Sequence, residues 1–491
     1  MIPSPTGLLV CAALLLLGQT LGSAVIVALM ASLAFGSTAF AVLPSLGGSS
    51  PLIYTLFALI LIGRLALQRD GLEEVRAELA RHPSCVVVLL LIVYVCGSAI
   101  ILPRLFQGDV GMFDMRESGG LEVPLAPTSG NITQSSYFAL GGLTCLTLCI
   151  GLRRPGALRA MEMGFLAWVA MNVGLGLVDL LGKLAGIGDV LLPIRTASYA
   201  LLTDDIAVGF FRIAGGHSEA SAFAASIFAG LVFSMTYWRV TQNPRAFALM
   251  LLALGLLLMS TSSTGYACLG AYAAWLTISA CLFPFRGHIR RSDLILAGLA
   301  LLVATVCLGV YLVDSSAFAN VQRLFEDAVL NKSQSSSARE RGYANYRSLE
   351  ALIQTGGIGI GMGSSRASNW LIAALSQIGV IGTLPLLALA ALFLRPPPTD
   401  TRRDAGPLAL HEAARATGLW ILVPAIISGG NADPGILFFI CLATVLSCRD
   451  ALAAVPVLAP RPRTGALQRR PAAQRGRTRH APPQAEQRRG I

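Results

Sequence analysis

The chain has 491 residues, of which 54% are hydrophobic and only 13% charged, where a soluble domain carries about 25% charged residues. That deficit excludes a soluble globular fold and points to a membrane protein. The net charge of +11 is no nucleic-acid signature, because residues 449–491 alone hold ten arginines against Asp450 and Glu486.

In chain order, the N-terminal stretch lacks the basic region of a cleavable signal and reads as the first membrane segment. Apolar runs lie near 7–22, 24–43, 51–67, 85–106, 135–152, 160–182, 218–238, 244–261, 265–284, 293–313, 369–394, 416–429 and 434–448. Runs of this length predict an all-α, polytopic integral membrane protein with about 12–13 transmembrane helices. The first two runs are short and joined without a polar loop. A membrane domain, 1–448, is expected to precede a disordered basic tail, 449–491, rich in Pro, Ala, Gln and Arg.

Arginines fall in alternate loops: Arg64, Arg69, Arg76 and Arg81; Arg153, Arg154 and Arg159; Arg239 and Arg245; Arg286, Arg290 and Arg291; Arg395, Arg402 and Arg403. The positive-inside rule assigns these loops and the C-terminus to the cytoplasm. Loops 107–134, 183–217 and 314–368 then face outward, into the periplasm of a bacterial inner membrane. The last of them is long and precedes the last three spans. The ten cysteines all lie in or beside apolar runs, none in a CxxC, and read as small membrane-buried side chains.

Chemistry gathers on the outward segments. In "GFFRIAGGHSEASAF", 209–223, Arg212 precedes two glycines, His217 and Glu219. His82, His288, His411 and His480 fall on segments assigned to the cytoplasm, so His217 is the one outward histidine. It suits a proton acceptor for a sugar hydroxyl or a group that only caps a helix. In "SSSARERGYANYRSLEALIQT", 335–355, Ser337 and Glu340 have capping-box spacing. On that helix Tyr346, Leu349 and Ile353 share one side. Arg339, Tyr343, Arg347 and Glu350 share a neighbouring arc. Two guanidinium groups on one arc suit a diphosphate; a solvated Arg347–Glu350 pair at i,i+3 is the plainer alternative.

The stretch "GGIGIGMGSSRASNW", 356–370, fits neither a dinucleotide fingerprint nor a P-loop, because its glycines alternate and no lysine follows. Gly357, Gly359, Gly361 and Gly363 can instead present amides as an anion nest, with Arg366 and the next helix N-terminus adding positive charge. Asp179 and Lys183, at i,i+4, read as an interfacial pair at a helix end.

Residues 335–382 resemble the superfamily of O-antigen polymerases and O-antigen ligases. The resemblance rests on Ser337 and Arg339, an amphipathic helix, the run Gly357–Gly363, then a helix with Gly379 and Gly382. It implies an inverting membrane glycosyltransferase without metal or cofactor, acting on a glycan carried by a polyprenyl diphosphate. It makes Arg212 and Arg339 diphosphate ligands, and a chain-length regulator and a repeat-unit flippase the expected partners. Ligases of this superfamily carry a histidine just after the glycine run. Here Ser368 and Asn369 stand there, which favours a polymerase of O-antigen or exopolysaccharide. Members also carry an arginine after the eighth span, where this chain has Ser262, Ser263 and Thr264. His217, Glu219 and Glu350 are the candidate bases. A transporter or flippase of lipid-linked sugars is the alternative from another class, although no internal repeat stands out.

Overall fold

The computed structural model describes residues 1–44, 48–113, 122–199, 201–202, 206–207, 210–282, 336–398 and 405–454, with Ile295, Gly298 and Thr305 as single positions. The expected span 293–313 and the tail beyond 454 lie outside these residues.

The chain is an all-α polytopic membrane protein. Its helices are α1 (Pro5–Thr20), α2 (Ala24–Ser32), α3 (Ile53–Ala66), α4 (Gly71–Arg81), α5 (Pro83–Leu105), α6 (Ser129–Gly151), α7 (Ala157–Leu184) and α8 (Ala220–Thr241). They continue with α9 (Pro244–Met259), α10 (Ser263–Leu282), α11 (Ser336–Gln354), α12 (Trp370–Ala391), α13 (Ala405–Trp420), α14 (Leu422–Ser428) and α15 (Ile436–Ala454). Among the described residues, α5, α7, α8, α12 with its 3₁₀ extension to Leu394, and α15 are long and apolar enough to cross a membrane. Leu90, Val93, Ile100 and Ile101 of α5 are exposed, as a lipid-facing surface requires. Inside, small residues let helices approach: Gly141 lies against Phe439, Gly164 against Met30 and Gly176 against Phe223.

Polar side chains start the helices where the sequence supplies them. Ser4 accepts from the Gly7 amide beside a Pro at N1, Thr128 and Asn131 form a capping box, and Asn369 accepts from the Leu371 and Ile372 amides. The bundle has two ends. At one, the arginine loops meet: Arg153 pairs with Glu78, His82 with Asp450 at 2.9 Å, and Arg449 donates to the Pro396 carbonyl. At the other lie three short antiparallel pairs: β1 (Ile2–Pro3) with β2 (Ala41–Val42), β3 (Gly111–Phe113) with β4 (Glu122–Pro124), and β5 (Ile206–Ala207) with β6 (Phe210–Phe211). We call these the basic end and the loop end.

Three expectations are corrected. The apolar run 24–43 is not a span, because α2 stops after nine residues. The chain then leaves helical geometry and bonds sideways: Thr38 donates to the Ile194 carbonyl, and the Ala39 amide to Thr196. The run 416–429 is split between α13, which starts at Ala405, and the short α14. Finally, α15 continues to Ala454, so Arg449 and Asp450 belong to the bundle and not to a tail.

The glycine run is non-helical backbone, buried from Gly359 to Met362, wedged between α5, α6 and α12. Its glycines are dictated by φ and by space together. Gly359 has φ of 91°, and a Cβ there would lie 2.7 Å from the Gly379 nitrogen. Gly363 has φ of 78°, and a side chain would collide with the Gly130 carbonyl. Gly357 has φ of 85°, but a Cβ there would meet only Val380, at 3.7 Å. Gly363→Ala is therefore expected to lose roughly 2–4 kcal/mol from strain plus collision, and Gly357→Ala about 1–2 kcal/mol from strain alone. Thermal unfolding of the purified variants in detergent checks this order; equal losses would count against it.

Candidate functional site

The glycine loop is built around a break in α12. Gly379 takes φ 63° and ψ −175°, which interrupts the helix and releases backbone groups. The loop takes them up. Ile360 and Gly361 donate their amides to the carbonyls of Ser376 and Gln377, each at 2.9 Å, and Val380 donates to the Gly357 carbonyl at 2.9 Å. Gly359 donates to Thr355 Oγ1 and Gly363 to Gln377 Oε1. Asn131 of α6 donates to the Met362 carbonyl and to Ser364 Oγ, both at 2.8 Å.

These bonds correct the anion-nest expectation. The amides of Gly357, Gly359, Gly361 and Gly363 all donate within the chain. Backbone removed from water needs such partners. The loop is a rigid plug that seats Ser364 to Asn369, and its amides do not await a ligand.

The second segment, Arg212 to His217, rests on a buried ionic cluster. Asp179 near the end of α7 accepts from the amides of Ala214 and Gly215 at 2.8 and 3.0 Å, and pairs with Lys183 at 3.2 Å. Lys183 also donates to the Arg212 carbonyl at 2.6 Å. Arg195 pairs with Asp189 and donates to the Gly215 carbonyl at 2.6 Å. Asp179, Lys183 and Arg195 are all buried. The expected interfacial pair is thus the centre of a neutral four-charge cluster that grips backbone 212–215. Asp189 and Arg195 escaped sequence reasoning because they lie in the loop after α7, which has no periodicity. Arg212 itself is half-buried on top of this anchor.

His217 is buried and fixed. Asn172 donates to the Trp168 carbonyl, so its Oδ1 faces His217 Nε2 at 3.1 Å, which makes Nε2 the protonated nitrogen. The other ring nitrogen packs against Gly36, where any side chain would collide. Burial, and then the charge of Arg195, lower the His217 pKa from 6.5 to about 4. It is a neutral, weakly basic imidazole, a poor match to a general base working near neutrality. Glu219 precedes α8 and accepts from the Ser221 hydroxyl.

A third group was missed by sequence reasoning. Tyr54, Tyr137, Tyr199 and Asp433 lie close enough to interact electrostatically. Tyr199 donates to the Gly36 carbonyl, beside His217. Asp433 sits in the turn between α14 and α15, which Trp370 anchors by donating to the Ala432 carbonyl at 3.1 Å. Desolvation raises the Asp433 pKa from 3.8 to about 6, against the Gly435 amide that lowers it. Arg366 packs on Gly430 of the same turn, is exposed, and makes no hydrogen bond or ion pair among the described residues. A line of neighbours therefore runs from Asp433 through the tyrosines to Gly36 and His217, with Arg366 on the Asp433 turn and Arg212 on the His217 segment.

The arginine helix α11 begins at Ser336 and docks through Ala344, Ser348, Ala351 and Thr355. Tyr346, Leu349 and Ile353 stay exposed as an apolar stripe. Asn345 accepts from the Ser368 amide at 2.8 Å, tying α11 to the Arg366 segment. Arg347 is not held ready for a diphosphate: it pairs with Glu350 and with Glu122 of β4. Glu350 is committed by the same contact. Arg339 is exposed, with no hydrogen bond or ion pair among the described residues.

Compared with known proteins, the chain matches no family model and, significantly, no curated protein sequence.

The depressed His217 pKa fixes a pH dependence. The folded state favours the neutral ring, so this contribution is full above pH 6.5 and is lost as pH falls toward about 4. It amounts to roughly 3 kcal/mol. His217→Gln, which keeps a donor for Asn172, is expected to remove that part of the acid lability. Thermal unfolding from pH 7 to pH 4 measures it; identical profiles for variant and wild type would refute the assignment.

Proposed function

We propose that this protein is a membrane glycosyltransferase that polymerises polyprenyl-diphosphate-linked repeat units into O-antigen or exopolysaccharide. The observation that carries the reading is the line of groups at the loop end. It gathers Asp433, a half-buried carboxyl of raised pKa, with three tyrosines, while Arg366 packs on Gly430 of the same turn. Arginines there stabilise the diphosphate that leaves when an acceptor hydroxyl attacks the anomeric carbon. Asp433 takes the hydroxyl proton, a role its pKa suits better than that of His217. Tyr54, Tyr137 and Tyr199 supply faces and hydroxyls for sugar rings.

The basic end carries the arginine loops, which supports a cytoplasmic C-terminus and a periplasmic loop end in a bacterial inner membrane. The ligase alternative is weakened because Asn369, near the place of the ligase histidine, is spent capping α12. One observation favours a transporter, the break in α12, since transporters bind cargo at discontinuous helices. Here the released backbone groups are taken by the glycine loop, which leaves them no cargo to hold.

Arg212→Ala or Arg339→Ala is expected to lower polymerisation by about 10²–10³, the usual cost of one lost transition-state contact. In a deletion strain complemented with either variant, single repeats should replace long chains while the protein stays in the membrane. Wild-type chain lengths would remove these arginines from the site. Chain growth by the purified protein on lipid-linked repeats separates polymerase from flippase.

The Asp433 pKa gives a second test. Activity should fall as pH drops through about 6, and Asp433→Asn should be inactive across the range. An active Asp433→Asn enzyme with the same acid limb would exclude Asp433 as base.

A further inference from the structure

The basic end brings together side chains that the proposed reaction does not use. Glu78 of α4, Cys85 of α5 and Cys149 of α6 each offer one ligand atom within 4.8 Å of the other two. All three are buried, at 1%, 0% and 2% exposure. Cys145, one helical turn before Cys149, sets a third buried thiol beside it. Both Glu78 carboxylate oxygens lack a hydrogen-bond partner, although Arg153 forms an ion pair with one and His82 Nε2 stands 3.6 Å from the other.

A buried carboxylate needs a cation beside it, and Arg153 already supplies one to Glu78. Its neighbours are the ligand types a thiophilic cation selects; an all-oxygen shell for Ca²⁺ or Mg²⁺ is absent from this cluster. We propose that Glu78, Cys85 and Cys149 form a binding site for a thiophilic divalent cation, Zn²⁺ by its chemistry, which clamps α4 to the bundle. A tetrahedral ion with bonds of about 2.0–2.3 Å holds its ligand atoms roughly 3.3–3.8 Å apart. The three atoms therefore close in by about 1 Å. Both thiols bind as thiolates and release their protons. The resulting net charge of about −1 is offset by the Arg153 guanidinium.

The role follows from α4 itself. It is a polar helix that buries only Gly71 and Glu78. Apolar packing gives it little hold, so a metal bridge to α5 and α6 would supply the missing attachment.

The test is Co²⁺ titration of the purified full-length protein in detergent under reducing conditions. The wild type is expected to bind one Co²⁺ per chain with thiolate-to-metal charge-transfer absorption, and Zn²⁺ should displace it. Cys85→Ser and Cys149→Ser should lose the band; Cys441→Ser, a buried cysteine on α15, should keep it. No stoichiometric band in the wild type overturns the proposal, whatever the folding of the variants. A band that survives both serine substitutions overturns it equally.

Discussion

Backbone withdrawn from water must find its partners inside the protein, and the loop end is where this chain meets that demand without a helix. Breaking α12 at Gly379 releases the carbonyls of Ser376 and Gln377 and the amide of Val380. The glycine loop supplies matching groups to each, which requires left-handed glycines in near contact with foreign backbone. Loop and break are one unit, and neither is stable alone. Because that unit is rigid, Arg366, Asn369 and the α11 attachment at Ser368 hold fixed positions above it.

The second anchor works by charge. Two carboxylates and two cations cancel within the Asp179 cluster, while its hydrogen bonds go to the backbone of residues 212–215. Removing one member of a buried cluster leaves uncompensated charge and costs about 3–5 kcal/mol. The Arg212 segment is therefore held by its main chain, whatever its side chain does. Such an arrangement suits a ligand-binding arginine, whose position then does not depend on the ligand.

The helical membrane class and the arginine-rich end were legible in the sequence, because apolar run length and loop charge are local signals. The second apolar run misled, since composition cannot tell nine helical residues followed by irregular backbone from a full span. The glycine run was recognised as special, but its role was misassigned: alternating glycines signal close backbone approach without saying whether a ligand or another helix approaches. Asp433, Arg195 and the tyrosines went unnoticed because they are scattered over four segments and meet only on folding. The same holds for Glu78, Cys85 and Cys149, whose spacing along the chain resembles no ligand motif.

The flank built from α1, α2 and α3 carries one more consequence. Helices of 16, 9 and 14 residues rise only about 24, 14 and 21 Å, against a hydrocarbon core of about 30 Å. Lipid beside the exposed faces of α1 and α3 is expected to thin to match. Head groups beside that flank then lie nearer to Gly36, Tyr54 and Tyr199 than a bilayer of full thickness would bring them.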